Sequence, residues 1–385
     1  MSTRWKASGY TRLGLVGMFL LATVPSAAPP SLHAVIGSAV AVGAGAAGAQ
    51  GQAQAPRQGT AAKAAGATPL RTPWGDPDLQ GTWSGDSAQA IPMQRPDTFA
   101  GRADLSDEEF KAKVERDTAT RKRALNAQGS FAGDGAWLDK TFRQTSLIVE
   151  PADGKLPPLT PEAQRKRDLA PRGTYGNGPL DGPEDFTFYD RCISLGVVGS
   201  LTPKIYGNGH RILQTPGYVA IMNEMIHETR IIPLDNRPHP GKSIRMYMGD
   251  SRGHWEGNTL VVETANLNGR PNYSGVESTL VERFTRLEPD VLRYEATIDD
   301  PATYTRRVKI SIPFTAPPGY QMLPYECHEG NSALRQGLGG ERAEDRKLEE
   351  DAKNGIIRPR RPIQGELTVG GAPIAAPAAA AETAR

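Results

Sequence analysis

A surplus of one charge, cysteine and long apolar runs are all scarce in this chain, and each scarcity removes a class of protein. The 385 residues hold 45 lysines and arginines against 43 aspartates and glutamates, a formal net charge of +2. A chain so balanced has no global electrostatic attraction for nucleic acid or for an anionic membrane. Its best apolar run, Leu13 to Val24, is shorter than the ~20 residues of a spanning helix, so stable membrane insertion is not expected. No H-E-x-x-H, C-x-x-C or G-x-S-x-G spacing occurs, which leaves no ready zinc site and no nucleophile elbow. Phosphate fingerprints are lacking as well; the TYGNG run at 174–178 and the GLGG run at 337–340 read as flexible loops. No cofactor and no metal is therefore assigned. Only two cysteines are present, Cys192 and Cys327. In an oxidising compartment such a pair reads as one disulfide; a thiol nucleophile at Cys327 beside His328 is the alternative.

What the chain does have is glycine (42) and proline (32), which favour turns and short strands over long helices. It opens as an export signal. Arg4, Lys6 and Arg12 form a positive n-region, Leu13 to Val24 the apolar core, and Ala47-Gly48-Ala49 or Ser26-Ala27-Ala28 the cleavage site. Residues 1–49 are read as signal peptide, 50–71 as a disordered leader, and 354–385 as a disordered tail. The remainder, 72–353, is one β-rich domain with a helical and looped arm at about 101–190. The expected location is periplasmic or extracellular.

Within that domain Leu79 to Trp83 enters a first strand, and Ser106 to Gln128 is a surface helix opened by a Ser106/Glu109 capping box. A strand within Phe142–Ala163 is followed by a turn at Asp153-Gly154 and a helix start at Thr160. The chain from Arg165 to Asp190 reads as a long loop. Short strands follow at 212–215, 218–223, 229–234, 244–248, 279–287, 291–298, 304–314 and 322–327, and Glu341 to Lys353 is a charged terminal helix. Between them, Gly257-Asn258 marks a two-residue turn. It sets Glu256 opposite Thr259, Trp255 opposite Leu260, His254 opposite Val261 and Arg252 opposite Glu263, with Arg252 and Glu263 placed to pair. Trp255, Leu260, Val262 and Thr264 share one face; Asp250, Arg252, His254, Val261 and Glu263 share the other. Which face points inward is left open. The pattern predicts a mainly β fold, an antiparallel lipocalin-like barrel or a sandwich, with a few peripheral helices.

The segments PWGDPDLQGTW, SLIVEPADGKLPPLTPEAQ, QTPGYVAIMNEMIHETRIIPLD, GDSRGHWEGNTLVVET and YECHEGN together resemble a widespread family of exported bacterial proteins of unassigned function, over roughly 72–353. The resemblance implies an exported β-rich domain and carries over no catalytic residue. Gly81-Thr82-Trp83 is similar to the opening of lipocalin-type barrels, which bears on fold alone.

Two sets of residues are candidates for function. Tyr218, Met246, Met248 and Trp255 supply apolar walls, and His227, Asp250, Arg252 and His254 polar contacts, for a small organic molecule in a barrel mouth. Trp83 and Trp255 are otherwise core residues. His227 or His328 with Asp250 or Glu329 forms a general acid/base pair; as turn caps beside glycines, the two acids need no chemistry. A His/carboxylate cluster with Glu256 lacks metal-ligand spacing. The leading reading is an exported binder of a small molecule. The alternatives are an exported hydrolase, lyase or isomerase using the His/carboxylate pair, with or without a metal, and a structural or envelope-interaction module.

Overall fold

The computed structural model describes residues 70–126, 138–169, 180–270 and 275–359, with the short strands Thr368–Val369 and Ala372–Pro373 paired beyond them. The export signal, all but the end of the leader, the 174–178 run and most of the tail lie outside the described residues.

In chain order the elements are β1 (Gly81–Ser84), α1 (Asp107–Asn126), β2 (Ile148–Glu150), α2 (Pro161–Leu169), α3 (Gly196–Leu201), β3 (Gly209–Thr215), β4 (Tyr218–Asn223) and β5 (Thr229–Pro233). Then come β6 (Asp250–Glu256), β7 (Thr259–Ala265), β8 (Thr279–Glu288), β9 (Val291–Asp299), β10 (Val308–Thr315) and α4 (Ala333–Lys353). The ten strands form one antiparallel sheet, ordered β5-β4-β3-β1-β10-β9-β8-β7-β6, with β2 pairing β10. The mainly β expectation holds, and a single sheet takes the place of a two-sheet sandwich.

Nine strands of alternating direction leave β5 and β6, the two ends, pointing the same way. Closing the sheet would need a parallel pair among antiparallel ones, with a differently slanted set of hydrogen bonds. Among the described residues no ladder joins β5 to β6, so the sheet is not closed. The two edges meet through side chains instead. Arg230 Nη1 donates to Ser251 Oγ at 3.4 Å. Gly253 leaves room for the other contact: a Cβ there would lie 2.7 Å from Leu234 Cδ2 and 2.8 Å from Ile232 Cγ2.

Strand alternation explains which side is core. Leu260, Val262, Leu280, Phe284, Leu292, Tyr294, Ile310, Ile312 and Phe314 point to one face and are buried. Phe284, Tyr294 and Phe314 form a ring stack, with centroids 5.0 and 5.8 Å apart. Each such burial contributes roughly 1.5–3 kcal/mol. Trp83 closes this core, its Nε1 donating to Leu79 O at 2.9 Å and its ring under the Arg286 guanidinium. The β6–β7 hairpin has the register the turn implied, including Arg252 opposite Glu263. Trp255 packs against the core from that face, and Asp250, Arg252 and His254 stand on the outer one.

Several expectations need correction. Residues 244–248 are no strand: they make an isolated bridge, Met246 to Leu267. Gly249 turns the chain at φ +64, and a Cβ there would meet Ala265 O at 2.6 Å, so the strand begins at Asp250. The stretch 322–327 is irregular, since Pro324 removes a donor and Leu323 N donates to Glu224. The GLGG run is helical, inside α4, which starts eight residues before the expected Glu341. Gly337 is there for close packing, because a Cβ would sit 2.6 Å from the Phe186 ring. Part of the expected 165–190 loop is α2. Helix α3, wholly buried, was not expected at all.

The first helix carries its capping box, with Ser106 N donating to Glu109 Oε2 at 2.8 Å and Glu109 N to Ser106 Oγ at 3.2 Å. Its contact with the body is less superficial than its few apolar residues imply, since Lys113 and Asp117 pair at 2.7 Å while buried. Cys192 and Cys327 are joined as a disulfide, 135 residues apart in sequence. Among the described residues no helix is long and apolar enough to cross a membrane.

Candidate functional site

The outer row of the hairpin is an ion-pair network. Asp250 Oδ2 lies 2.6 Å from His239 Nδ1, and Asp250 Oδ1 accepts from Arg252 Nη2 at 2.9 Å. Arg252 thus pairs along its own strand, not across to Glu263 as expected. His254 Nε2 lies 3.3 Å from Glu256 Oε1, and Arg283 reaches the other oxygen at 2.8 Å. The two pairs on Glu256 are exposed and contribute about 0–1 kcal/mol each.

The residues proposed as one ligand set are spread out. Tyr218 and His227 flank opposite ends of β4, a run of roughly 17 Å at ~3.4 Å per residue. Met248 contacts Ser194 Oγ at 3.7 Å, Met246 is exposed on the bridge to Leu267, and Trp255 belongs to the core. The acid/base pairs fare similarly. The histidine beside Asp250 is His239, from a Pro- and Gly-rich segment read as a break, and neither His227 nor His328 bonds a carboxylate among the described residues. No group of three His, Cys, Asp or Glu among those residues is arranged to hold a metal ion.

Buried ionisable groups gather instead where Ser84 ends β1. Ser84 pairs there with both Gly209, the start of β3, and Thr315, the end of β10. Both following and preceding segments therefore converge on this end. Asp86 accepts from Ser84 Oγ (2.7 Å), Asn208 Nδ2 (2.8 Å) and Gln89 Nε2 (3.1 Å); burial still pushes its carboxyl upward, against those hydrogen bonds. Glu224 accepts from Gly209 N (3.0 Å), Leu323 N (2.8 Å) and the Tyr320 hydroxyl (2.7 Å). Burial, then that bond to Glu224, raises the Tyr320 phenol above its usual range. Lys204 Nζ donates to Ser200 O at 2.6 Å and Thr202 O at 3.1 Å, capping the end of α3. Burial brings its ammonium down to about 7, although Asp86 and Glu224 attract the charge. The neighbouring His210, held by Asn223 at 3.0 Å, is kept neutral to about 3 by burial and by Lys204.

This cluster fixes two segments, 204–209 and 320–323, and both continue into the walls of a cleft of about 490 Å³. Tyr206 and Tyr325 stack on each other in its wall, with centroids 6.1 Å apart, planes at 24° and hydroxyls 3.5 Å apart, and Tyr189 lines it too. Asp190, Glu326 and Glu329 add polar groups. The cleft walls are cross-linked: the Cys192–Cys327 bond and Asn331 Nδ2, which donates to Asp190 O at 3.0 Å, hold 325–331 against 189–192. His227 meets the Tyr325 ring edge-on at 6.4 Å, and its φ of +56 follows Ile226 at +66. A β-branched residue in that region is an outlier, held here by the buried Glu224 and Met225 on one side of the turn. Of the sequence candidates, Glu329 lines the cleft and His227 touches its edge. The tyrosines were missed because they come from three distant segments with no common motif.

No protein-family model, curated protein or solved structure matches this chain.

Proposed function

We propose that this is an exported protein that binds a small organic molecule in the cleft of Tyr189, Tyr206 and Tyr325. The observation that carries the reading is a concave site of ligand size with aromatic walls, a few polar groups and a covalently fixed frame. Rigid tyrosines give large contact area at small entropic cost. The buried cluster beneath acts as frame, holding 204–209 and 320–323 in place, rather than as chemistry. The curled sheet is read as a lipocalin-like barrel left unzipped between β5 and β6. The disulfide fits an oxidising, exported location. The resemblance to exported bacterial proteins belongs to the same proposal; its YECHEGN segment supplies much of one cleft wall.

A thermal-shift screen of neutral, anionic and cationic small organics on the oxidised protein tests this. A ligand should raise the melting temperature of the wild type by mass action and leave Tyr206→Ala and Tyr325→Ala unmoved. Hits that persist in both variants would place binding elsewhere.

A further inference from the structure

Resting on that reading of the cleft, we infer that its ligand is an organic cation, an ammonium group carried on a small apolar body. Aromatic faces bear negative quadrupole charge and attract cations lying within about 6 Å, and three tyrosines line this site. The charged groups in its wall are all acidic: Asp190, Glu326 and Glu329, with no lysine, arginine or histidine among the lining residues. Some surface acids are matched by bases, as in Lys140 with Glu288 and Asp290 or Arg245 with Glu277. Glu326 and Glu329 differ. Among the described residues neither forms an ion pair, and both are exposed at the cleft. Asp190 is partly engaged, accepting from Thr187 Oγ1 at 2.8 Å.

One feature opposes a cation. The start of α4 faces the site, and a helix N-terminus carries about half a positive charge. Two unpaired carboxylates outweigh it roughly fourfold in charge, by the same scale. Two apolar side chains next in sequence to the lining residues Tyr206 and Pro324, Ile205 and Leu323, are exposed. An occupant with a cationic head and a hydrocarbon body matches both features. An anion would meet the carboxylates, and a wholly apolar molecule would leave them unpaired.

The test is calorimetric titration of the full, oxidised chain with choline and with 3,3-dimethylbutan-1-ol, which has the same shape without the charge. Choline should bind about tenfold tighter, and Tyr325→Leu or the double change Glu326→Gln with Glu329→Gln should each remove most of that advantage. Thermal melting of each variant checks its folding, and the glutamine changes are nearly isosteric and exposed. Equal affinity for the two probes would overturn the cation assignment while leaving the cleft as a binding site. So would binding of choline that ignores the glutamine changes. No binding of choline at millimolar concentration also overturns it, and the screen of neutral compounds then decides whether the cleft binds anything.

Discussion

The β5/β6 seam has no backbone ladder, so what holds it is testable one side chain at a time. Arg230 extends from β5 under the seam to Glu282 on β8, in a two-pronged pair with Nη2 to Oε1 at 2.8 Å and Nη1 to Oε2. Glu282 is fully buried and Arg230 nearly so. Tyr294 donates to Glu282 Oε1 at 3.1 Å, and Ser251 bridges Arg230 to Thr264. The row therefore crosses β5, β6, β7 and β8 on the concave face. Replacing Glu282 by Leu leaves a guanidinium buried without its counter-charge, a loss of about 3–5 kcal/mol. The Tyr294 hydroxyl loses its acceptor as well, about 1 kcal/mol more. The double change Arg230→Met with Glu282→Leu removes both charges and should come within about 2 kcal/mol of the wild type, since well-packed apolar residues often replace buried pairs at little cost. Urea unfolding of wild type, both singles and the double, followed by tryptophan emission, measures the coupling. Hydrogen exchange should show β5 and β6 losing protection first in Glu282→Leu. If the double variant is no more stable than Glu282→Leu, or the two single losses simply add, the pair is not what joins the seam.

Three further outcomes are expected. Gly253→Val puts a side chain where Leu234 and Ile232 already approach within 2.8 Å of a Cβ position, so overpacking should lower stability by about 1–3 kcal/mol; an unchanged urea midpoint would mean that the seam is loose. Lys204 ionises at about 7 when folded and at the usual 10.5 when unfolded, so between those values the unfolded chain binds more protons and stability rises with pH. That contribution is present above the unfolded value and lost as pH falls through about 7. From pH about 7 to about 9.5 it amounts to about 3 kcal/mol, and Lys204→Met should flatten the rise; identical slopes would refute it. Reduction of the disulfide releases a loop spanning 135 residues, which the chain-entropy relation values at about 5 kcal/mol. Intact mass should rise by the two hydrogens of an opened S–S bond, and a urea midpoint indifferent to reductant would contradict the estimate.

Local signals settled local structure. Gly257-Asn258 and the alternation on either side determined the hairpin register, because a one-residue slip would turn Leu260 and Val262 out of the core. Ser106 and Glu109 determined where α1 begins, since both bond donors the helix leaves free. With only two cysteines in the chain, one pairing was available. The buried ion pair left a signal in the sequence that the strand reading passed over. Glu282 sits between Leu280 and Phe284 at core-facing parity, and Arg230 shares parity with Ile232, so two charges stood in apolar rows without a visible reason. Alternation names the face; it does not say that β5 and β8, 52 residues apart at this pair, meet across the concave side.

The tertiary structure decided the rest. It chose which hairpin face points inward, gave Asp250 the unforeseen partner His239, and placed a glycine run in a helix, where Gly337 lets Phe186 pack where a Cβ would be. It also decided the site. Tyr189, Tyr206 and Tyr325 come together only because β1 meets the start of β3 and the end of β10 at Ser84, and because the disulfide holds the third wall. Periodicity reports the nearest neighbours along a chain. A cleft is made by residues whose separation in sequence carries no period, and its position follows from strand order, which the amino-acid pattern left undetermined.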